Sequence, residues 1–118
     1  MLRACARTIV AGAVAATLFA CGSDSITNPT TATVVASSQL QFTPQNISLS
    51  RSGGTAQLTF SFESTHHTVV WDTQPSGASV ENISLSANTS VERDMTVAGT
   101  YMYHCSIHPS MTGTLPIH

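Results

Sequence analysis

The hydrophobic positions of this chain recur every second residue, in short runs broken by turn-forming residues. The clearest run places Ala56, Leu58, Phe60 and Phe62 on one side and Thr55, Gln57, Thr59 and Ser61 on the other, the period of a half-buried β-strand. Upstream, Leu40 and Phe42 share a side before Pro44 ends the run, Ile47 and Leu49 alternate with serines, and Ser52-Gly53-Gly54 supplies a turn. Downstream, His67, Val69 and Trp71 share a face, and Asp72 to Ala78 reads as loop. A short strand is expected within Val80 to Leu85, and another at Val91, Met95 and Val97, with Arg93 unexpectedly on their side. Gly99 opens a strand with Tyr101, Tyr103 and Cys105 on one face and Met102 and His104 on the other. Leu115 and Ile117 close the pattern around Pro116, which demands an edge or unpaired position. No stretch after the first twenty residues has the period of an amphipathic helix. Seven or eight short strands imply an all-β fold, a Greek-key β-sandwich.

The first residues follow a different logic. Arg3 and Arg7 precede an apolar stretch from Thr8 to Phe19, too short to span a bilayer as a helix. The run Leu18-Phe19-Ala20-Cys21 resembles a bacterial lipoprotein signal, in which Cys21 becomes the acylated first residue of the mature protein. The division expected is therefore a signal over 1–20, a tether over 21–33 rich in Ser, Thr, Asn and Pro, and one domain over 34–118. The resemblance implies attachment to a membrane on the periplasmic side of a bacterial cell envelope. Gly22 rather than an aspartate after Cys21 points to the outer membrane.

Loss of the leader changes the charge picture. Arg51 and Arg93 then face six carboxylates, a formal net charge of −4 where the whole chain has −2, and there is no lysine. No basic stripe exists for nucleic acid to bind. The cysteines narrow matters further. Cys5 leaves with the signal and Cys21 is acylated, so Cys105 stands alone among the three. An unpaired thiol in a disulfide-permissive compartment is explained by metal ligation or by burial as a small hydrophobe.

Metal ligation is the better fit because of what surrounds it. In Cys105-Ser106-Ile107-His108-Pro109-Ser110-Met111 a thiol, an imidazole and a thioether follow at intervals of three, just past a strand. His67 begins another strand with the phase to reach the same end of the core, a phase that His66 lacks. One Cys, two His and one Met form the donor set of a single blue-copper ion. Cu(I) favours the sulfurs and Cu(II) the imidazoles, so a mixed set suits neither valence fully and changes little when an electron arrives. A structural zinc site would draw four ligands from Cys and His, and only one thiol is available. A Cys–His nucleophile would need a cleft and oxyanion donors that a small sandwich can hardly supply. No His-x-His pair exists for a trinuclear copper centre, and a dinuclear one needs a second thiolate. His104 and His118 carry no partner signal and read as structural or solvated.

These residues carry a family resemblance. Tyr101 to Thr114, with His67-Thr68-Val69-Val70-Trp71 upstream, is similar to the small cupredoxins of the amicyanin, plastocyanin and pseudoazurin kind. The resemblance implies one copper ion held strongly by His67, Cys105 and His108, with Met111 axial and His108 the more exposed ligand. It implies a monomeric carrier of single electrons between redox partner proteins, not an enzyme. The alternatives are a copper-binding or delivery protein without electron transfer, and a structural sandwich whose site is vestigial. The family often has Pro before the first ligand and Asn after it. Here they are His66 and Thr68, which leaves the hydrogen bonding around the ligand loop open.

Overall fold

The computed structural model describes residues 28–118. The signal, Cys21 and most of the tether lie outside these described residues.

Eight strands form two four-stranded sheets. They are β1 (Thr31–Ala36), β2 (Phe42–Thr43), β3 (Ala56–Phe62), β4 (His67–Thr73), β5 (Ile83–Ser86), β6 (Thr89–Met95), β7 (Gly99–His104) and β8 (Thr112–Ile117). One sheet runs β2-β1-β3-β6 and the other β5-β4-β7-β8. All strand pairs are antiparallel except β1 with β3, which run parallel in unbroken register from Thr31↔Gln57 to Ala36↔Phe62. β3 pairs with β6 while the intervening β4 and β5 pair in the opposite sheet, which is Greek-key connectivity. The expected all-β sandwich is thus the fold of the chain.

β3 follows its sequence pattern without exception: Ala56, Leu58, Phe60 and Phe62 are all buried and the residues between them are not. Between the sheets lies an aromatic cluster. Phe42 and Phe60 from one sheet meet Tyr103 from the other at ring-centre distances of 4.9 and 5.2 Å, and Trp71 packs against Tyr103 at 5.2 Å. All these contacts are edge-to-face, the arrangement the ring quadrupoles favour, and each adds about 0.5–1.5 kcal/mol beyond area burial. Gly113 of β8 sits opposite Tyr103 of β7, and a Cβ there would collide with the phenol ring. A glycine is what lets this large ring lie flat against the neighbouring strand.

Four features depart from the sequence pattern. The domain begins earlier than expected, because β1 starts at Thr31 inside the segment read as tether. Thr31 and Thr33 face outward while Val34 and Ala36 enter the core. Leu40 does not join Phe42 inside. It has φ of 62° and is 42% exposed, because residues 37–41 form a turn closed by Ser37 N–H donating to Gln41 O and Leu40 N–H to Ser37 O. Alternation holds only in extended chain, and here the chain reverses. The strand expected from Val80 starts instead at Ile83, with Val80 in a loop held at both backbone atoms by the Gln74 amide. β6 ends at Met95 rather than reaching Val97.

Two oddities find a physical cause. Arg93 lies on the Met95 side of the edge strand β6 and reaches the segment that leads into β5 of the opposite sheet, where it donates to the carbonyls of Glu81 and Asn82 at 3.0 Å each. It ties the two sheet edges together with a side chain that also blocks edge-to-edge pairing. Pro116 lies in β8, the last strand of its sheet. On the side away from β7 it meets only the irregular segment 45–51, through isolated bridges at Asn46↔Thr114 and Leu49↔Ile117. Its missing N–H breaks no regular ladder.

Candidate metal centre

The core end at which β4 begins and β7 finishes is where the chemistry gathers. Antiparallel register sets Val70 opposite His104, which brings Thr68 level with Ser106 and His67 beside the turn that follows Cys105. That turn is closed twice by backbone. Cys105 N–H donates to Met111 O at 3.0 Å, and Met111 N–H to His108 O at 2.9 Å. The loop therefore folds back on itself, keeping Cys105 and Met111 in the core and leaving His108 half-buried.

His67 is fully buried, the one polar side chain among the described residues that the core encloses completely. Its Nε2 lies 2.8 Å from the carbonyl oxygen of Ser37, in the turn between β1 and β2. A carbonyl can only accept, so the ring holds its hydrogen on Nε2 and presents Nδ1 as a bare lone pair. That nitrogen is 3.9 Å from Cys105 Sγ and 3.3 Å from His108 Nδ1, while His108 Nδ1 is 3.8 Å from Cys105 Sγ. The three donor atoms thus form a compact triangle.

Its size can be tested. Bonds of about 2.0–2.1 Å to nitrogen and about 2.3 Å to sulfur, set at 120° around one ion, put the nitrogens about 3.5 Å apart and each about 3.8 Å from sulfur. The observed edges agree with this within a few tenths of an ångström. The residues fit a single small metal ion in a trigonal N, N, S set.

The model of the family described as copper binding proteins, plastocyanin/azurin family, matches residues 29–118. The chain belongs to this family. No curated protein matches it by sequence. Among solved structures it is similar to a reduced Cu(I) form of an amicyanin variant at pH 4, with 20% identity over 73% of this chain and 80% of that one and a TM-score of 0.61. A reduced amicyanin with one tryptophan changed to tyrosine gives 20% identity, 75% and 83% coverage and a TM-score of 0.62. A mutant plastocyanin of fern gives 24% identity over 74% of this chain and all of that one, with a TM-score of 0.58. These likenesses concern the fold.

In this cupredoxin, His67, Cys105 and His108 with Met111 form the candidate copper site. Met111 is only 2% exposed and is held at the same end by the two loop hydrogen bonds. His66 is exposed and does not join the donor cluster. His104, read as structural or solvated, has a partner that the sequence did not signal: Nδ1 is 2.7 Å from Asp72 Oδ1, across the β4–β7 pair and on the outer face. His118 is exposed at the chain end, where its backbone N–H donates to Leu49 O.

The question left open by Thr68 has a geometric answer. Its backbone N–H points at Cys105 Sγ at 3.4 Å, and its hydroxyl oxygen accepts the Ser106 N–H at 2.8 Å. A hydroxyl thereby fastens the first ligand strand to the ligand loop. The Ser37 carbonyl was invisible to sequence reasoning, because any residue supplies the same backbone oxygen. Thr68 could have been suspected from its position after His67, and Ser106 only once the register was known.

Proposed function

We propose that this cupredoxin is a mononuclear type 1 (blue) copper protein that carries single electrons between redox proteins outside the cytoplasm. When bound, the copper supplies a one-electron Cu(II)/Cu(I) couple. The chain's own part is to keep the donor atoms in place whichever valence is present. The observation that carries the reading is the triangle of His67 Nδ1, Cys105 Sγ and His108 Nδ1, already held at the spacing one ion requires. Each corner is fixed by something other than a metal: Ser37 O behind His67, Thr68 N–H on the thiol, and the Met111 backbone closing the loop. A site held before loading rearranges little on electron transfer.

Burial supports the same role over copper delivery. His67 and Cys105 have no exposed surface and Met111 has almost none, so handing the ion to another protein would require the loop to open. An electron needs no such opening. It can leave through His108, the one half-buried member of the set, beside Ile107, which is 48% exposed. The leader and the Ser/Thr-rich stretch behind Cys21 support a lipid anchor on the periplasmic side of a bacterial envelope, with a monomeric domain at the end of its tether.

The test is optical. The protein given Cu(II) is expected to turn intensely blue by thiolate-to-copper charge transfer and to bleach and recover through cycles of one-electron reductant and oxidant. Cys105→Ser removes the colour, and Met111→Leu keeps it while raising the potential, since loss of a weak axial donor disfavours Cu(II). A colourless complex refutes the reading. A blue complex whose copper passes within seconds to a soluble chelator favours delivery instead.

A further inference from the structure

Beside Cys105 two hydroxyl groups form a pair that a structural fastening alone does not require. Thr68 Oγ1 lies 2.8 Å from Ser106 Oγ and 3.8 Å from Cys105 Sγ, and it already accepts the Ser106 backbone N–H. Each hydroxyl has one hydrogen and two lone pairs, so two arrangements satisfy the group. In the first, Thr68 O–H donates to Ser106 Oγ, and the exposed Ser106 gives its own hydrogen to water. In the second, Ser106 O–H donates to Thr68 Oγ1, and the Thr68 hydrogen turns to Cys105 Sγ. The heavy atoms stay where they are. Only rotation about two C–O bonds separates the arrangements, a motion of picoseconds to nanoseconds for such side chains.

We infer that Thr68 is a positioning residue whose hydroxyl hydrogen follows the charge on Cys105 Sγ, with Ser106 as the alternative acceptor that lets it move. This rests on the electron-carrier reading. When one electron arrives from a protein reductant, the site gains one negative charge and no bond forms or breaks. Sulfur becomes the better acceptor, and the second arrangement gains. When the electron leaves, the sulfur is depleted and the hydrogen returns to Ser106. Hydrogen bonds to charged acceptors are stronger than neutral ones, so the Thr68 hydroxyl stabilises the reduced state selectively. Thr68 N–H donates to sulfur in both states and also favours the more negative one, but it has no second acceptor to turn to and stays in place in every side-chain variant.

The two side chains then have opposite effects, which a simple fastening would not produce. Thr68→Val keeps the shape and removes the hydrogen, so the reduction potential falls, by about three- to tenfold in the equilibrium between the two valences. Ser106→Ala removes the competing acceptor, commits the Thr68 hydrogen to sulfur, and raises the potential. The double variant behaves as Thr68→Val, because Ser106 acts only through Thr68. The experiment is voltammetry of the copper-loaded parent, the two single variants and the double variant, with thermal melts of the copper-free forms alongside. Ser106 is exposed, so its variant is expected to melt with the parent and remains informative even if Thr68→Val folds poorly. Shifts of opposite sign with a non-additive double variant support the inference. Shifts of the same sign, or none, overturn it while leaving the blue couple and the carrier reading intact. A parent without a reversible couple overturns both.

Discussion

Gly113→Ala adds one methyl group at the place where β7 and β8 come closest, and its effect can be worked out from the surroundings. A Cβ on residue 113 would collide with the Tyr103 ring, and that ring cannot swing away, because Phe42, Phe60 and Trp71 enclose it at 4.9, 5.2 and 5.2 Å. Relieving the collision requires the strands to part or the ring to move by about 1 Å. Overpacking of this kind costs about 1–3 kcal/mol, and disturbing one or two edge-to-face contacts adds about 0.5–1.5 kcal/mol each. An opposing contribution exists: Gly113 is not in the left-handed region, so alanine also restricts the unfolded chain and returns about 0.4–1 kcal/mol. The net expectation is a loss of about 2–3 kcal/mol, large against the 5–15 kcal/mol that holds a typical domain. In a domain this small it lowers the melting temperature by about 8–24 °C. Differential scanning calorimetry of the copper-free protein measures it. The cause is separated by Tyr103→Leu, which is expected to be less damaging in the alanine background than alone. A melting temperature within about 2 °C of the parent, or strictly additive losses, would refute the steric argument.

Two further expectations follow from the same interior. Burial pushes the Tyr101 and Tyr103 phenols above the ordinary value of 10, and Tyr103 Oη has no hydrogen-bond partner. The unfolded chain gives up these protons near pH 10 while the folded one retains them. The stability is therefore complete below that pH and falls as pH rises, by up to about 1.4 kcal/mol per unit for the Tyr103 phenol, with Tyr101 acting in the same direction. Urea midpoints that stay level from about pH 9 to about pH 11 would contradict this, and Tyr103→Phe is expected to flatten the decline. Arg93→Leu severs the donors to Glu81 and Asn82 that join the sheet edges. It is expected to lower stability by about 1–2 kcal/mol, and a change under about 0.5 kcal/mol in urea titration would place Arg93 among ordinary surface residues.

Much of this architecture was legible because it depends on properties that residues carry individually. Ala56 to Phe62 declare a strand by side-chain chemistry alone, and Cys105, His108 and Met111 announce themselves by spacing within one loop. What escaped depends on relations between distant backbones. β1 looked like tether because threonine is polar in composition, although its branched Cβ suits a strand and only pairing with β3 reveals it. Leu40 looked buried because a turn at Ser37–Gln41 leaves no hydrophobic signature. The oxygen that orients His67 belongs to no side chain. Likewise the Thr68–Ser106 contact exists only through the β4–β7 register, so the sequence offered Thr68 as an anomaly and the fold supplied its use.

The placement of β1 carries a consequence for how the domain can be made and altered. It is an inner strand, bordered by β2 on one side and by β3 on the other, yet among the described strands it is the first to be synthesised. A nascent chain must hold Thr31–Ala36 without its parallel neighbour until Phe62 has emerged. Trimming the domain from the front would open the middle of a sheet and remove the stretch that leads into the Ser37 carbonyl. A tag or fusion spliced into Thr31–Ala36 would thus disturb two neighbouring strands at once.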